Sequence, residues 1–175
     1  MRIIAGQYGS RIIKSPRGYV THPMSERIRG ALFNSLGDLQ NKTVWDAFAG
    51  SGALALEAVS RGAKSAVATE RDPKTYRVLK ANIEKLGASN VQAVKASCQA
   101  WGSTNKDVRF DIIFCDPPYN NLQLSTVFAQ KKHLNPNGLM VLSYPGSEDT
   151  PIADGVVVVD NRNYGDAALA FYRLG

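Results

Sequence analysis

Short apolar runs alternate with longer segments of helical periodicity from residue 43 onward. This alternation predicts βαβ units and a mostly parallel sheet. The clearest helical segment is 74–86, where apolar residues fall on overlapping helical faces and Gly87 follows as a C-terminal stop. The predicted strands are 43–48, 66–70, 91–95, 111–115, 139–144, 156–160 and 168–172, and the predicted helices between them are 53–61, 73–86 and 122–133.

The two ends of the chain depart from this alternation. Residues 161–167, between the last two predicted strands, are too few for a crossover helix, so we expect an antiparallel hairpin there. Residues 2–14 predict a small β-hairpin that turns at Tyr8-Gly9-Ser10, followed by a helix over 25–36. We therefore expect one α/β domain over 1–175 with a doubly wound, Rossmann-like, seven-stranded sheet. Its parts are an N-terminal extension, 1–39, and a core, 40–175.

Positive charge is concentrated near the start of the chain. Residues 1–30 contain six Lys or Arg against Glu26 alone, whereas the rest contains fifteen basic against fourteen acidic residues, for a total of +6. Such a cluster attracts a phosphate backbone without reading its sequence, although a solubilising surface explains it equally well. The basic residues assigned to nucleic-acid contact are Arg11, Lys14, Arg17, Arg27 and Arg29.

Cysteine usage and hydropathy limit the class of protein. Cys98 and Cys115 lie far apart with no histidine at ligand spacing, so neither a disulfide framework nor a metal site is expected. The sequence contains no run of eighteen apolar residues, and its start lacks the pattern of an export signal. We expect a cytoplasmic protein without a membrane partner.

Residues 46–55 pass from a predicted strand through a glycine turn into a helix, so that a ligand can approach bare backbone and a helix N-terminus. Gly50 and Gly52 also satisfy a dinucleotide fingerprint, with Glu70 placed to accept hydrogen bonds from ribose hydroxyls. Charge favours S-adenosylmethionine over a dinucleotide as the ligand of this turn. Asp46 would repel a pyrophosphate, whereas it is a favourable neighbour for the sulfonium and ammonium of S-adenosylmethionine.

The sequence Asp-x-Phe-Ala-Gly-Ser-Gly is similar to the first motif of amino methyltransferases. Ser97-Cys98 ends the third predicted strand, where methyltransferases usually place a polar group against the adenine. Many relatives have an acidic residue there, so this pair either contacts the adenine or is an ordinary strand end. The residues assigned to the cofactor S-adenosyl-L-methionine are Asp46, Phe48, Ala49, Gly50, Gly52, Glu70, Arg71, Ser97, Cys98 and Asp116.

The apolar run 110–115 delivers Asp116-Pro117-Pro118-Tyr119 at the edge of the sheet where open α/β folds bind ligands. Two prolines fix the backbone and remove two donors, which leaves a rigid turn with free carbonyls. Asp116 and the Pro117 carbonyl can each accept one N–H of an exocyclic amino group and hold its nitrogen toward a sulfonium methyl. Tyr119 offers a face on which a flipped base can stack, with Pro118 beside it. We assign Asp116, Pro117 and Tyr119 as catalytic.

Together these segments resemble the RsmD-type family of small-subunit (16S) ribosomal RNA guanine-N2 methyltransferases. The segments that carry the resemblance run along nearly the whole chain, at 1–6, 27–34, 46–62, 116–119 and 164–165. The resemblance implies a class I methyltransferase fold and S-adenosyl-L-methionine as cofactor. It also implies methylation of one guanine in ribosomal RNA, in a partly assembled small subunit.

Two substrate residues are assigned with this resemblance in mind. Relatives usually carry Arg-Pro-Thr where this chain has His22-Pro23-Met24, so His22 either replaces the lost donor or is a plain loop residue. Tyr164, in the terminal hairpin, either contacts RNA or packs the turn.

Other functions stay open on the sequence alone. The same tetrapeptide would present the N6 amino group of adenine in DNA or RNA, and the glycine turn also fits an NAD-dependent dehydrogenase. An RNA-binding assembly factor without catalytic activity is a further possibility. A protein glutamine methyltransferase is disfavoured because that group generally has Asn where this chain has Asp116. We expect a monomer.

Overall fold

The computed structural model describes residues 1–16 and 24–175. Helices and strands alternate through most of this part of the chain. The helices are α1 (Glu26–Leu36), α2 (Ala53–Ser60), α3 (Pro73–Leu86), α4 (Cys98–Thr104) and α5 (Leu124–Phe128), with 3-10 turns over Tyr119–Asn121 and Ala129–His133. The strands are β1 (Thr43–Asp46), β2 (Ser65–Thr69), β3 (Val91–Val94), β4 (Phe110–Cys115), β5 (Leu134–Pro145), β6 (Val156–Asn163) and β7 (Ala167–Leu174).

The seven strands form one sheet in the order β3-β2-β1-β4-β5-β7-β6. The first five strands pair in parallel, and β7 is antiparallel to both β5 and β6. The predicted seven-stranded α/β fold with a C-terminal antiparallel hairpin is confirmed. The strand order reverses between β1 and β4, and the carboxyl ends of the strands flanking such a point form the crevice where doubly wound sheets bind ligands.

Alternating side chains place the core on both faces of the sheet. Val44 and Ile112 pack with α1, α2 and α3, whereas their neighbours Trp45 and Ile113 pack with α4 and α5 on the opposite face. Both central strands are therefore apolar along nearly their whole length, as expected for strands covered by helices on two sides.

The N-terminal segment adopts the predicted hairpin path with less regular structure than expected. Its arms are joined by three backbone hydrogen bonds, from Ile3 N to Arg11 O, Ser10 N to Ile3 O and Ile13 N to Met1 O. They do not form strands, and the isolated bridge of Arg2 with Ile12 is the one β-pairing between them in the described residues. The turn around residues 6–11 is tight because Gly6 lies against α2. A Cβ at Gly6 would fall 1.8 Å from Ser60 O.

Glu57 of α2 anchors this segment from inside the protein. Its fully buried carboxylate accepts hydrogen bonds from Ile4 N (2.8 Å) and Ala5 N (3.1 Å). Arg61 Nε donates to the same carboxylate at 2.7 Å, and Arg29 Nε lies 3.8 Å away. The carboxylate therefore balances buried positive charge and satisfies two backbone donors at once.

Two regions differ from the predicted elements. Helix α4 was not predicted, because Gly102 and the Ser-Thr pair after it weaken the helical signal. The Ser97 hydroxyl nevertheless caps the helix by accepting a hydrogen bond from Ala100 N. The Trp101 ring packs against the Trp45 ring, with 4.8 Å between the ring centroids. The predicted helix 122–133 is instead the short α5 followed by a 3-10 turn.

The 3-10 turn has a structural reason. Its three-residue repeat puts Gln130 and His133 on the same inner face, where both are buried. His133 Nδ1 donates to Val108 O at 2.9 Å and so ties the turn to the segment that precedes β4. Within the described residues, no helix is long and apolar enough to cross a membrane.

We expect Glu57→Ala to destabilise the protein by about 3–5 kcal/mol, because the substitution leaves a buried guanidinium without its counter-charge. Urea unfolding measures the loss, and hydrogen exchange at Ile4 and Ala5 should accelerate in the same variant. Glu84→Ala, which removes an exposed carboxylate from α3, is the matched control and should change stability by less than about 0.5 kcal/mol. Equal losses in the two variants would contradict the anchoring role.

Candidate active site

A cavity of about 810 Å³ lies at the carboxyl ends of the central strands. Its wall contains most of the residues that the sequence assigned to the cofactor and the catalytic turn. Those residues are Phe48, Ala49, Gly50, Glu70, Arg71, Ser97, Cys98, Asp116, Pro117, Pro118 and Tyr119. The structure thus joins two motifs that are about 65 residues apart in sequence.

The glycine turn after β1 is shaped by two residues in the left-handed region. Gly50 has φ +54° and Gly52 has φ +83°, a conformation that L side chains rarely adopt. A Cβ on Gly52 would also fall 2.4 Å from Leu79 Cδ1, so this glycine lets α2 pack closely on α3. Gly52 acts through the shape of the turn and is not among the described residues that form the cavity wall.

Asp46 lies behind the wall, at the end of β1, and only 1% of its surface is exposed. Its Oδ2 accepts from Ala55 N at 3.1 Å, while Oδ1 has no hydrogen-bond partner among the described residues. Burial is the main cause that raises the pKa of Asp46 to about 7, with smaller contributions from the charges of Asp116 and Glu70. Asp46 is thus placed to act on the cavity through its charge, which is the basis on which the sequence assigned it to the cofactor.

Glu70 follows β2 and lines the cavity. Its carboxylate accepts from Gly50 N at 3.0 Å and from Asp72 N at 2.8 Å, which holds the glycine turn against the end of the second strand. Burial raises the pKa of Glu70 despite these hydrogen bonds. Each carboxylate oxygen retains a lone pair for a hydroxyl donor in the cavity.

The residues after β3 have structural roles in addition to lining the cavity. The Ser97 hydroxyl is engaged as the cap of α4, and the Cys98 side chain is buried, which raises the pKa of its thiol to about 11. Neither side chain is a reactive group under ordinary conditions. Arg71 is exposed at the rim of the cavity.

The turn Asp116-Pro117-Pro118-Tyr119 closes the opposite side of the cavity. Enclosure raises the pKa of Asp116 to about 6. Tyr119 begins a 3-10 turn, and its hydroxyl lies 2.5 Å from the Ser143 hydroxyl of β5. Burial raises the pKa of Tyr119 to about 12, so this phenol stays protonated and can donate a hydrogen bond.

The basic residues assigned to a nucleic acid have different environments. Arg11 and Lys14 are exposed, and the Lys14 backbone is held by the buried Asn82 side chain through hydrogen bonds of 2.8 and 2.9 Å. Arg27 is exposed at α1, with its guanidinium 5.9 Å from the centre of the Tyr164 ring. Tyr164 thus packs against Arg27 at the β6–β7 turn. Arg17 and His22 lie outside the described residues.

The assignment of Arg29 to nucleic-acid contact is corrected by the structure. Its side chain borders the cavity beside Met24 but is fully buried. Nη2 donates to Arg2 O at 2.5 Å, and the guanidinium lies near Glu57. The hydrogen bond to Arg2 joins α1 to the N-terminal segment. The buried position of the guanidinium keeps it from contacting a phosphate.

Two residues that the sequence analysis missed belong to this region. Ser143 is buried on β5 and contacts Tyr119, and Asp166, in the β6–β7 turn, lines the cavity. A serine within an apolar strand and an aspartate in a turn carry no sequence signal of their own. No group of three or more side chains suited to hold a metal ion occurs in residues 1–16 and 24–175.

The arrangement suits a cationic ligand. Glu70 and Asp116 line one cavity, Asp46 lies just behind its wall, and burial raises the pKa of all three carboxyl groups. A cation bound there would favour their ionised forms. This site, at the switch point of a seven-stranded sheet with one antiparallel strand, defines a class I methyltransferase.

Comparisons with known proteins agree with that class. The family model Conserved hypothetical protein 95 matches residues 1–173, and the chain belongs to this family, the RsmD family. The ribosomal RNA small subunit methyltransferase D of Haemophilus influenzae is 33% identical over 147 residues, which cover 80% of this chain and 76% of that protein.

Two further comparisons give the same result. The Escherichia coli protein of the same name is 36% identical over 120 residues, which cover 68% of this chain and 60% of that protein. The solved structure of the yhhF protein from Escherichia coli superimposes with a TM-score of 0.88 at 29% identity, over 99% of this chain and 97% of that one.

We expect Asp46→Asn to stabilise the ligand-free protein at pH 8. The pKa of Asp46 is about 7 in the folded protein against 3.8 for an ordinary aspartate, so the folded state retains a proton that the unfolded state loses between these values. The free energy of unfolding therefore falls as pH rises through this window, by roughly 1–4 kcal/mol. The substitution removes the part of that dependence that comes from Asp46, while Glu70 and Asp116 keep theirs.

Urea unfolding at pH 5 and pH 8 measures the effect. The gain in the Asp46→Asn variant should be clear at pH 8 and small at pH 5. Asp107→Asn, in an exposed loop, is the matched control and should follow the wild type at both values. A variant at Asp46 that retained the wild-type pH dependence would contradict this account.

Proposed function

We propose that the protein transfers the methyl group of S-adenosylmethionine to the exocyclic N2 of a guanine in small-subunit ribosomal RNA. The observation that carries the proposal is the set of three carboxylates with raised pKa around one cavity, one of them on the Asp-Pro-Pro-Tyr turn. The first two suit a cationic nucleoside cofactor, and the third suits an amino group that becomes positive during the reaction.

The residues present fit this cofactor. S-adenosylmethionine, when bound, supplies an electrophilic methyl group on a sulfonium. The buried charge of Asp46, with one oxygen unpartnered among the described residues, favours a cation beside the glycine turn. Glu70 has the lone pairs to accept ribose hydroxyls, and the α4 cap region at Ser97 and Cys98 can enclose the adenine.

The catalytic turn would act on the amino group. An exocyclic nitrogen is a weak nucleophile because its lone pair is delocalised into the ring. Asp116 and the Pro117 carbonyl would each accept one N–H, which orients the nitrogen and stabilises the positive charge that develops on it. Tyr119 would stack on the base. The ionised form of Asp116 is required, so kcat/KM, which reports the free enzyme, should fall as pH drops through about 6.

The substrate RNA is supported by the names of the relatives from Haemophilus influenzae and Escherichia coli, each called ribosomal RNA small subunit methyltransferase D. Guanine as the base is supported by one feature of the site, since Asp166 lines the same cavity as Asp116. Guanine presents N–H donors at both N1 and N2, which two carboxylates can accept, whereas adenine presents an acceptor at N1.

Methyl transfer tests the proposal directly. Small ribosomal subunits from a strain that lacks the protein, and partly assembled precursors of them, are incubated with methyl-labelled cofactor and digested to nucleosides. We expect N2-methylguanosine as the product. Asp116→Ala should lower the transfer rate by about 100-fold or more, because it removes a group that acts on developing charge, while affinity for RNA stays within about threefold.

Each alternative function has its own signature in this experiment. N6-methyladenosine as the sole product would overturn the guanine assignment and leave the chemistry intact. Cellular function retained in full by Asp116→Ala would instead identify a non-enzymatic assembly factor. Calorimetry with S-adenosylmethionine and NAD separates the remaining option, since tight binding of NAD alone would contradict the proposed cofactor.

The basic N-terminal segment is proposed to grip RNA. We expect the double substitution Arg11→Ala and Lys14→Ala to weaken RNA binding and to reduce the slope of log affinity against log salt by about 1–2. The control removes two exposed lysines, Lys106 and Lys132, which precede β4 and β5 at the opposite edge of the sheet. Filter binding at several salt concentrations measures both variants, and identical slopes would exclude this role for the segment.

A further inference from the structure

Ser143 is a buried hydroxyl between the two functional side chains of the Asp-Pro-Pro-Tyr turn. It lies near the end of β5, and only 2% of its surface is exposed. Strand β5 pairs with β4 in a register that sets Leu142 opposite Cys115, so Ser143 stands level with Asp116. Its hydroxyl lies 2.5 Å from the Tyr119 hydroxyl and is close enough to the Asp116 carboxyl to lower the pKa of that group.

The number of protons decides how these three groups can pair. An ionised Asp116 can only accept, and Ser143 has a single hydroxyl proton. A Ser143 proton turned toward Asp116 leaves the serine oxygen to accept the proton of Tyr119. The three groups can then form one ordered series of donors and acceptors, from the tyrosine through the serine to the carboxylate.

We propose that Ser143 is a positioning residue that holds the Asp116 carboxylate and the Tyr119 ring as one unit, so that the reacting amino group and the plane of its base are aligned together. This inference rests on the proposed methyl transfer to a base. It assigns a role to a residue outside the tetrapeptide.

Strand β5 gives this residue a rigid base. It is paired with β4 on one side and with β7 on the other, and Ser143 itself lies opposite Leu169 of β7. Tyr119, by contrast, is carried by a three-residue 3-10 turn. A hydrogen bond to a strand that is paired on both sides fixes the tyrosine hydroxyl, and with it the orientation of the ring, better than the turn does alone.

The charged and titratable groups around Asp116 determine what Ser143 does to its ionisation. Asp46 approaches from the end of β1, Cys115 precedes Asp116, and Tyr119 follows it. Burial raises the pKa of Asp116, and the hydrogen bond from Ser143 lowers it. Loss of the hydroxyl should therefore raise the pKa of Asp116 further and favour its neutral form.

The test compares Ser143→Ala with Ser143→Thr, which restores a hydroxyl. We expect the alanine variant to lower the single-turnover rate by roughly 10–100-fold. The RNA concentration that gives half the maximal rate and the affinity for S-adenosylmethionine should both stay within about threefold of the wild-type values. The acid limb of its rate profile should move upward by roughly half to one pH unit. The threonine variant should recover most of the rate and the wild-type limb.

The neighbouring residue provides a matched control. Tyr144 is also buried on β5, and its hydroxyl bonds to Thr150 and Asn161 on the other face of the sheet. Tyr144→Phe removes one buried hydroxyl and should leave both rate and pH limb unchanged. If it reproduces the loss seen with Ser143→Ala, or if Ser143→Ala behaves as wild type, the positioning role is wrong.

Tyr119→Phe keeps the inference testable if Ser143→Ala does not fold. This variant keeps the ring and the bond from Ser143 to Asp116, so the rate should fall by roughly three- to tenfold while the acid limb stays in place. A shift of the acid limb in the Tyr119→Phe variant would contradict the proposed order of hydrogen-bond donors and acceptors. All rates are measured on the base that the wild type methylates, so a product other than N2-methylguanosine overturns the guanine assignment without deciding the role of Ser143.

Discussion

The site depends on buried negative charge that the ligand-free protein leaves only partly compensated. Asp46, Glu70 and Asp116 come from the ends of three neighbouring strands, and the strand order brings them to one cavity. Burying a carboxylate without a cation is unfavourable, and the raised pKa values of these groups express that cost. The apolar layers on both faces of the sheet supply the stability that tolerates it. A cation bound in this cavity would favour the ionised forms of the three groups and so offset part of that cost.

The N-terminal segment also helps to form the cavity. Glu57 and Asn82 hold its backbone from α2 and α3, and residues as early as Met1 reach the wall of the cavity. The buried Arg29 contributes by joining α1 to that segment, which explains why a basic residue in a basic region does not face a polyanion. Exposed charge and structural charge are interleaved here along one short stretch of sequence.

The sequence predicted what periodicity and turn chemistry encode. The parallel strands, the terminal hairpin and helix α3 follow from apolar patterning, and Gly50, Glu70 and Asp116 follow from their places at strand ends. The burial of individual side chains was not predictable, because it depends on what packs above a residue. Asp46 lies behind the cavity wall, and the side chain of Arg29 is fully buried beside the cavity. Helix α4 was not predicted because Gly102 weakens the helical pattern in the sequence. Ser143 carried no signal, since its role arises from the register between β4 and β5.

The position of β7 has a consequence for how the chain is made. Because β7 lies between β5 and β6, the outer edge of β5 stays unpaired until the last eight-residue strand has been synthesised. Strand β6 leaves the ribosome first but has no partner before β7 arrives. Ser143 therefore gains support on both sides of its strand only after β7 has been synthesised, and chains that stop before residue 167 would present a long open edge prone to association.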